Sequence, residues 1–234
     1  MTGPRRLGGL ALALAASLLL LPHAAAAKPN CSAAAAPGVD WTDCDKKLII
    51  LSGSDLNGAI LVGTNLTSTD LRDSTLIAAN FEKATLVRAS LAGSQARGAK
   101  FDRIEAYRTN FSGIDAEGAT FASGELQRSN FANARLVNVN FTKAELGRAD
   151  FSGADIGGSN FAMSNLARAD FSKARFNAPL DFDRSFLFLT RLEGLDLSAA
   201  KGLTQWQVDM ACGDANTKLP PDIKVPANWP CAFD

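Results

Sequence analysis

Histidine is almost missing from this chain. The single one, His23, lies in an N-terminal apolar stretch. Its scarcity excludes Ser-His-Asp and Cys-His nucleophile schemes and nearly all transition-metal sites. The 19 glycines are scattered and form no phosphate-binding loop. The four cysteines contain no C-x-x-C pair, which leaves zinc a poor fit. No catalytic residue, metal ligand or cofactor is therefore expected. Net charge is also missing, because 24 Lys and Arg balance 24 Asp and Glu. That balance excludes general nucleic-acid binding, which needs a basic excess. The only long apolar run is Leu7–Leu21, and its 15 residues are too few to span a bilayer comfortably.

That run belongs to a leader. Arg5 and Arg6 precede it, and Ala24–Ala27 offer small-residue cleavage sites. Residues 1–27 thus read as a secretory signal peptide, by the general or the twin-arginine route. The mature chain is expected to be periplasmic or secreted and to have no transmembrane span. Loss of Arg5 and Arg6 leaves it slightly acidic.

What the chain has is a strict period of five. The 26 positions from Leu51 to Phe176 taken every fifth residue hold 12 Leu, 10 Phe, one Ile and three Ala. Neither a helix (period 3.6) nor a strand (period 2) produces this. A fixed period means stacked units that bury their apolar faces on their neighbours. Two residues before each large one sits Ala, Ser, Thr or Gly in 22 of 25 cases. The exceptions are Ile104, Ile114 and Val139. The two isoleucines fall two residues before Ala106 and Ala116, as volume compensation in one interior would require. Beyond Phe176 the large residues Phe182, Leu187, Leu192 and Leu197 keep the spacing but shift by one. One inserted residue near 177–179 is the expectation, with the register shift spanning 177–182.

Units such as Ala149-Asp150-Phe151-Ser152-Gly153 and Ala154-Asp155-Ile156-Gly157-Gly158 resemble the pentapeptide-repeat family, whose motif is A-(D/N)-(L/F)-x-x. The resemblance implies an all-β fold, a right-handed quadrilateral β-helix with 20 residues per coil. The large residue and the small one two before it would point inward. Phe recurs mostly every ten residues, which places rings on two opposite walls. The interior is filled by side chains and is too narrow for a cofactor. The chain is thus expected to divide into leader 1–27, N-terminal cap 28–50, β-helix 51–199, and a C-terminal cap 200–234 with a short helix.

Export makes disulfides plausible. Four cysteines allow three pairings. Cys31 with Cys44 and Cys212 with Cys231 is the expected set, since a rod tens of ångströms long separates the two ends. Each pair would staple a cap. Thr204-Gln205-Trp206-Gln207 reads as a capping box that opens the helix, with Gly213 as its stop signal.

Reading at the coil period of 20 exposes one surface feature. Arg88, Arg108, Arg128, Arg148 and Arg168 form a column, with Tyr107, the only tyrosine, beside it. Glu105, Glu125 and Glu145 run parallel, three residues earlier. Two readings stand: an interleaved ion-pair wall, or a strip that binds an anionic partner, either a protein or a polyanionic envelope component. The function expected is a non-catalytic, exported scaffold or interaction protein. A purely structural or stress-related envelope role is the alternative. A third is the DNA-mimic role of relatives that protect DNA gyrase. This chain departs from those acidic, cytoplasmic rods in charge and compartment.

Overall fold

The computed structural model describes residues 1–3 and 29–231. Apart from 1–3, the expected leader lies outside the described residues.

The fold follows from a turn repeated every five residues. In every unit up to Lys173, and again at Arg184, Leu189 and Gly194, the residue two after the large one has positive φ: 61° at Lys143, 59° at Arg148, 69° at Gly153. The amide three residues after the large one closes the turn, as in Ala144 N–H to the Phe141 carbonyl (3.0 Å). Positive φ at the third position is the mark of a type II turn. Successive turns send the chain around a four-sided coil.

The unit Phe141–Glu145 accounts for all five of its backbone donors. Phe141 N–H donates to Asn160 O in the following coil (2.8 Å), and Lys143 N–H to Ala162 O (2.9 Å). Glu145 N–H donates to Gly124 O in the preceding coil (2.9 Å). Ala144 N–H closes the turn, and Thr142 N–H is taken by the Asn140 side chain (3.0 Å). This last bond explains why Asp or Asn stands before the large residue. Asp150 and Asp170 do the same for Ser152 and Ser172, each at 2.8 Å. The acidic residues at coil spacing are turn-formers.

Coils stack through single-residue parallel bridges. From Asp40↔Ile60 to Asp155↔Arg175 the partners lie 20 residues apart. At Asn160↔Asp181, Asn165↔Phe186 and Asp170↔Arg191 the separation becomes 21. The one-residue insertion is thereby located between Arg175 and Asp181. The ladder begins at Asp40, so the first coil uses residues that the sequence analysis places in the N-terminal cap. It runs on to Lys218 in the C-terminal segment.

Every large-slot residue from Leu56 to Phe171 is fully buried, and so are Phe182, Leu187, Leu192 and Leu197. Phenylalanines stack in two files. Phe81, Phe101, Phe121, Phe141 and Phe161 have successive centroids 4.6–5.2 Å apart. Phe111, Phe131, Phe151 and Phe171 stack at 4.7–5.1 Å. Rings meet edge to face across the files, for example Phe131 and Phe141 at 5.7 Å and 80°. Both geometries are favourable for aromatic quadrupoles. Volume is compensated down a column as well as along the chain. A Cβ at Gly124 would crowd Ile104, one coil earlier, at 3.4 Å. Buried hydroxyls find carbonyls one coil back, as in Thr109 Oγ1–H to Leu86 O (2.6 Å) and Ser159 Oγ–H to Leu136 O (2.6 Å).

The two ends are closed differently. Trp41 is buried and donates its Nε1–H to Ala33 O (3.2 Å), and the Cys31–Cys44 disulfide ties this segment to the first coil. At the other end helix α1 (Gln205–Met210) starts at the expected capping box of Thr204 and Gln207. Buried Gln207 donates through Nε2 to Phe182 O (2.8 Å) and Ser185 O (2.9 Å), which plugs the carbonyl ends of the last coil. The helix stops at Ala211 in an extended conformation. Gly213 is not the stop signal. A Cβ there would overlap the Trp229 ring, so the glycine admits the tail that Cys212–Cys231 ties down.

Candidate functional site

The five arginines stand at one corner of the rod, on consecutive coils. Each backbone N–H donates to the next coil: Arg88 to Tyr107 O (3.1 Å), Arg108 to Gln127 O (3.1 Å), Arg128 to Gly147 O (2.9 Å), Arg148 to Ala167 O (2.8 Å), Arg168 to Phe188 O (2.8 Å). The column is thus in register, with a rise of about 4.8 Å per coil. All five residues are exposed.

All five also have positive φ, between 56° and 60°. For an L-residue with a long side chain this left-handed region costs about 1–2 kcal/mol. Two other corners fill the same turn position largely with residues that tolerate it. One carries Gly93, Gly113, Asn133 and Gly153 in successive coils, and another Gly98, Gly118, Asn138 and Gly158. The fourth is mixed, and two of its basic residues, Arg103 and Arg184, are paired with Glu82 and Asp183. The arginine corner therefore goes against the backbone's preference five times in succession.

An ion-pair wall would explain such a column, but the two columns are not joined. Among the described residues no ion pair links any of the five arginines to Glu105, Glu125, Glu145 or another carboxylate. Glu145 accepts from Asn165 Nδ2–H (2.9 Å), and Glu105 from Thr85 Oγ1–H (3.5 Å). Arg108 instead lies over the Tyr107 ring, 5.2 Å from its centroid, a cation–π contact at the exposed edge. Ion pairs cluster elsewhere. Asp115 takes Arg97 (2.6 Å) and Arg135 (3.2 Å), and Arg135 also reaches Glu117. Burial raises the Asp115 carboxyl, but these two guanidinium groups hold it below the usual range. Bonding to Arg135 lowers Glu117 as well. The chain thus builds close ion pairs where two signs meet and leaves this column without them.

The remaining predicted groups sit apart from it. The cysteines are consumed in the two expected disulfides, each with Cα atoms 5.4 Å apart, so no thiolate is left for a metal. The register shift opens a shallow groove of about 450 Å³ lined by Phe176, Asn177, Pro179, Leu195 and Asp196, without a nucleophile–base pair. One feature escaped the period-five reading. Phe186 and Phe188 flank buried Leu187 and point outward, 40% and 43% exposed. They differ from the core phenylalanines only by one step of register, which is the signal that marks them.

Comparison with known proteins agrees with the geometry. Models of pentapeptide repeats match residues 49–86 (8 copies) and 141–185 (9 copies). Together with the five-residue coil and its inward Leu and Phe, these matches make the chain a member of the pentapeptide-repeat proteins. Similar solved structures include HetL, involved in heterocyst differentiation regulation in Nostoc sp. strain PCC 7120. It is 21% identical, with 81% of this chain and 92% of that one covered and a TM-score of 0.33. A pentapeptide repeat protein from the Arabidopsis thaliana thylakoid lumen is 27% identical, with 44% and 68% covered and a TM-score of 0.35. Full-length QnrB1, a plasmid-mediated fluoroquinolone resistance protein, is 22% identical, with 76% and 84% covered and a TM-score of 0.34. No curated protein matches the chain.

Proposed function

We propose that this pentapeptide-repeat protein is an exported, non-catalytic scaffold of the cell envelope that engages an anionic partner through the arginine corner. One observation carries this reading: five in-register, exposed arginines hold an unfavourable backbone conformation and have no carboxylate partner among the described residues. A residue that served only the turn would be cheaper as glycine or asparagine there. Two disulfides fit an oxidising compartment. No helix among the described residues is long and apolar enough to cross a membrane. The positive sign of the corner opposes a DNA-mimic role, which needs an acidic stripe.

Retention on an immobilised heparin-like polyanion tests the proposal. Wild type is expected to bind at low ionic strength and elute as salt rises, since screening acts within about 10 Å at 0.1 M. Arg108→Gln, Arg128→Gln and Arg148→Gln together should abolish retention. Equal changes at Lys83, Lys143 and Lys173, exposed on other corners, should not. Equal losses from both sets would mean diffuse charge. No wild-type retention at any salt would leave the purely structural role.

A further inference from the structure

The arginine corner has apolar ends. Its column of turn residues reads Leu48, Ser68, the five arginines, then Leu189, all with positive φ. Leu48 is 73% exposed and Ile50, two residues on, 81%. At the far end Phe188 occupies the place in the next coil directly beside Arg168, whose amide bonds the Phe188 carbonyl. Phe186 stacks on Phe188 with centroids 6.2 Å apart and planes 12° from parallel. Phe186 bridges Asn165 and so continues the file Glu105, Glu125, Glu145, Asn165. Half-exposed Tyr107 lies midway along the edge.

Resting on the proposed function, we infer that the anionic partner is a lipid bilayer surface, and that the rod lies along it on its arginine edge. A soluble polyanion satisfies the guanidinium groups but gives Leu48, Ile50, Phe186 and Phe188 nothing to bury in. A bilayer supplies phosphates in one plane and an acyl boundary just beneath it. The edge matches that layering. From Leu48 to Leu189 it is about 34 Å long, seven coil steps of about 4.8 Å. Its cations are central and its apolar groups are at both ends, so the rod is pinned at two points with charge between. Long arginine stems suit the headgroup layer, because their methylenes lie against apolar surface while the guanidinium stays hydrated. Midway along the rod the adjoining Glu105, Glu125 and Glu145 repel an anionic surface, so contact there is confined to the arginine edge; only at the end of their file does apolar Phe186 take the place of the acid.

Co-sedimentation of the purified protein with vesicles tests this, using phosphatidylcholine alone and phosphatidylcholine mixed with phosphatidylglycerol. Wild type should sediment with the anionic vesicles and not with the neutral ones. The pair Phe186→Ser and Phe188→Ser, and separately the pair Leu48→Ser and Ile50→Ser, should each lower partitioning by about tenfold or more. Both pairs should keep full retention on the heparin-like polyanion. The triple Arg→Gln variant should lose both activities. These apolar sites lie at opposite ends of the rod, so a folding defect in one variant leaves the other to decide. Polyanion retention by wild type without vesicle binding would overturn the bilayer inference and leave the anionic-partner reading standing. Vesicle binding undiminished in both apolar variants would overturn it too. Binding to neither surface would remove both.

Discussion

Replacing Phe141 by alanine measures how much the stacked interior holds the rod together. The ring is fully buried. It stacks on Phe121 (5.2 Å) and Phe161 (5.1 Å) and meets Phe131 and Phe151 edge to face, each at 5.7 Å. Truncation removes a filling group between three coils whose backbones are fixed by hydrogen bonds on both sides. The cavity has little means of collapse, so the cost should lie in the upper part of the about 3–5 kcal/mol seen for buried phenylalanines. That is a large share of an ordinary domain stability of about 5–15 kcal/mol. Phe141→Leu keeps most of the volume and should cost about 1.5 kcal/mol or less. Phe176→Ala, at the register shift and only partly buried, should cost clearly less than Phe141→Ala. Urea unfolding followed by circular dichroism gives all three, with the slope watched for lost cooperativity between coils. Equal stability of Phe141→Ala and wild type, or a larger loss at Phe176, would refute the inward packing of the period-five residues.

Other expectations concern the ends and the charges. Gln207→Leu leaves the buried carbonyl of Ser185 without a donor and removes one of the three donors to that of Phe182, and should lower stability by about 1–3 kcal/mol in the same unfolding assay. Gly213→Ala should displace the Trp229 ring, read as a change in near-ultraviolet circular dichroism; an unchanged spectrum would contradict the close approach. Peptide mapping without reduction should find Cys31 linked to Cys44 and Cys212 to Cys231, and reducing either should cost about 3 kcal/mol. Stability should be flat between about pH 5 and 8, because residues 29–231 contain no histidine. It should fall in acid. Arg72 holds Asp70 below 3.8, and Ser198 with Lys218 holds Asp196 at about 2. Folded values below the unfolded ones stabilise the rod above the unfolded pKa. That contribution is lost as pH drops from about 4 towards about 2. A loss of stability centred near neutrality would contradict this.

Much of the fold is legible because one geometric rule repeats. A turn every five residues forces the large residue inward at a fixed phase, and the phase slip after Phe176 is visible without coordinates. The rule is hidden where a slot is filled by a different type. Residues 36, 41 and 46 continue the phase, but they are Ala, Trp and Lys. Lys46 holds its ammonium 3.9 Å from the centre of the Trp41 ring, so a cation occupies a core-phase position and the first coil looks like a cap. The capping box at Thr204 is local and therefore readable. The purpose of Gly213 depends on Trp229, which reaches it only through the folded tail. The two charged columns show the same limit. Their spacing of three suggests pairing, yet a corner turn stands between glutamate and arginine, and sequence distance does not measure that turn. The positive φ of each arginine, which makes the column costly, follows from the repeat phase and was available in the sequence once the turn was known.

The central claim is that the arginines serve a partner and not the rod. The direct measurement is the melting temperature of the triple variant Arg108→Asn, Arg128→Asn and Arg148→Asn, taken at low and high salt beside its polyanion retention. Asparagine tolerates the left-handed turn, so relief of backbone strain should leave the melt unchanged or raise it, by up to about 1 kcal/mol per site, while retention disappears. A melt that drops, and drops further at low salt, would show that the arginines hold the rod together through charge pairing, and would contradict the account.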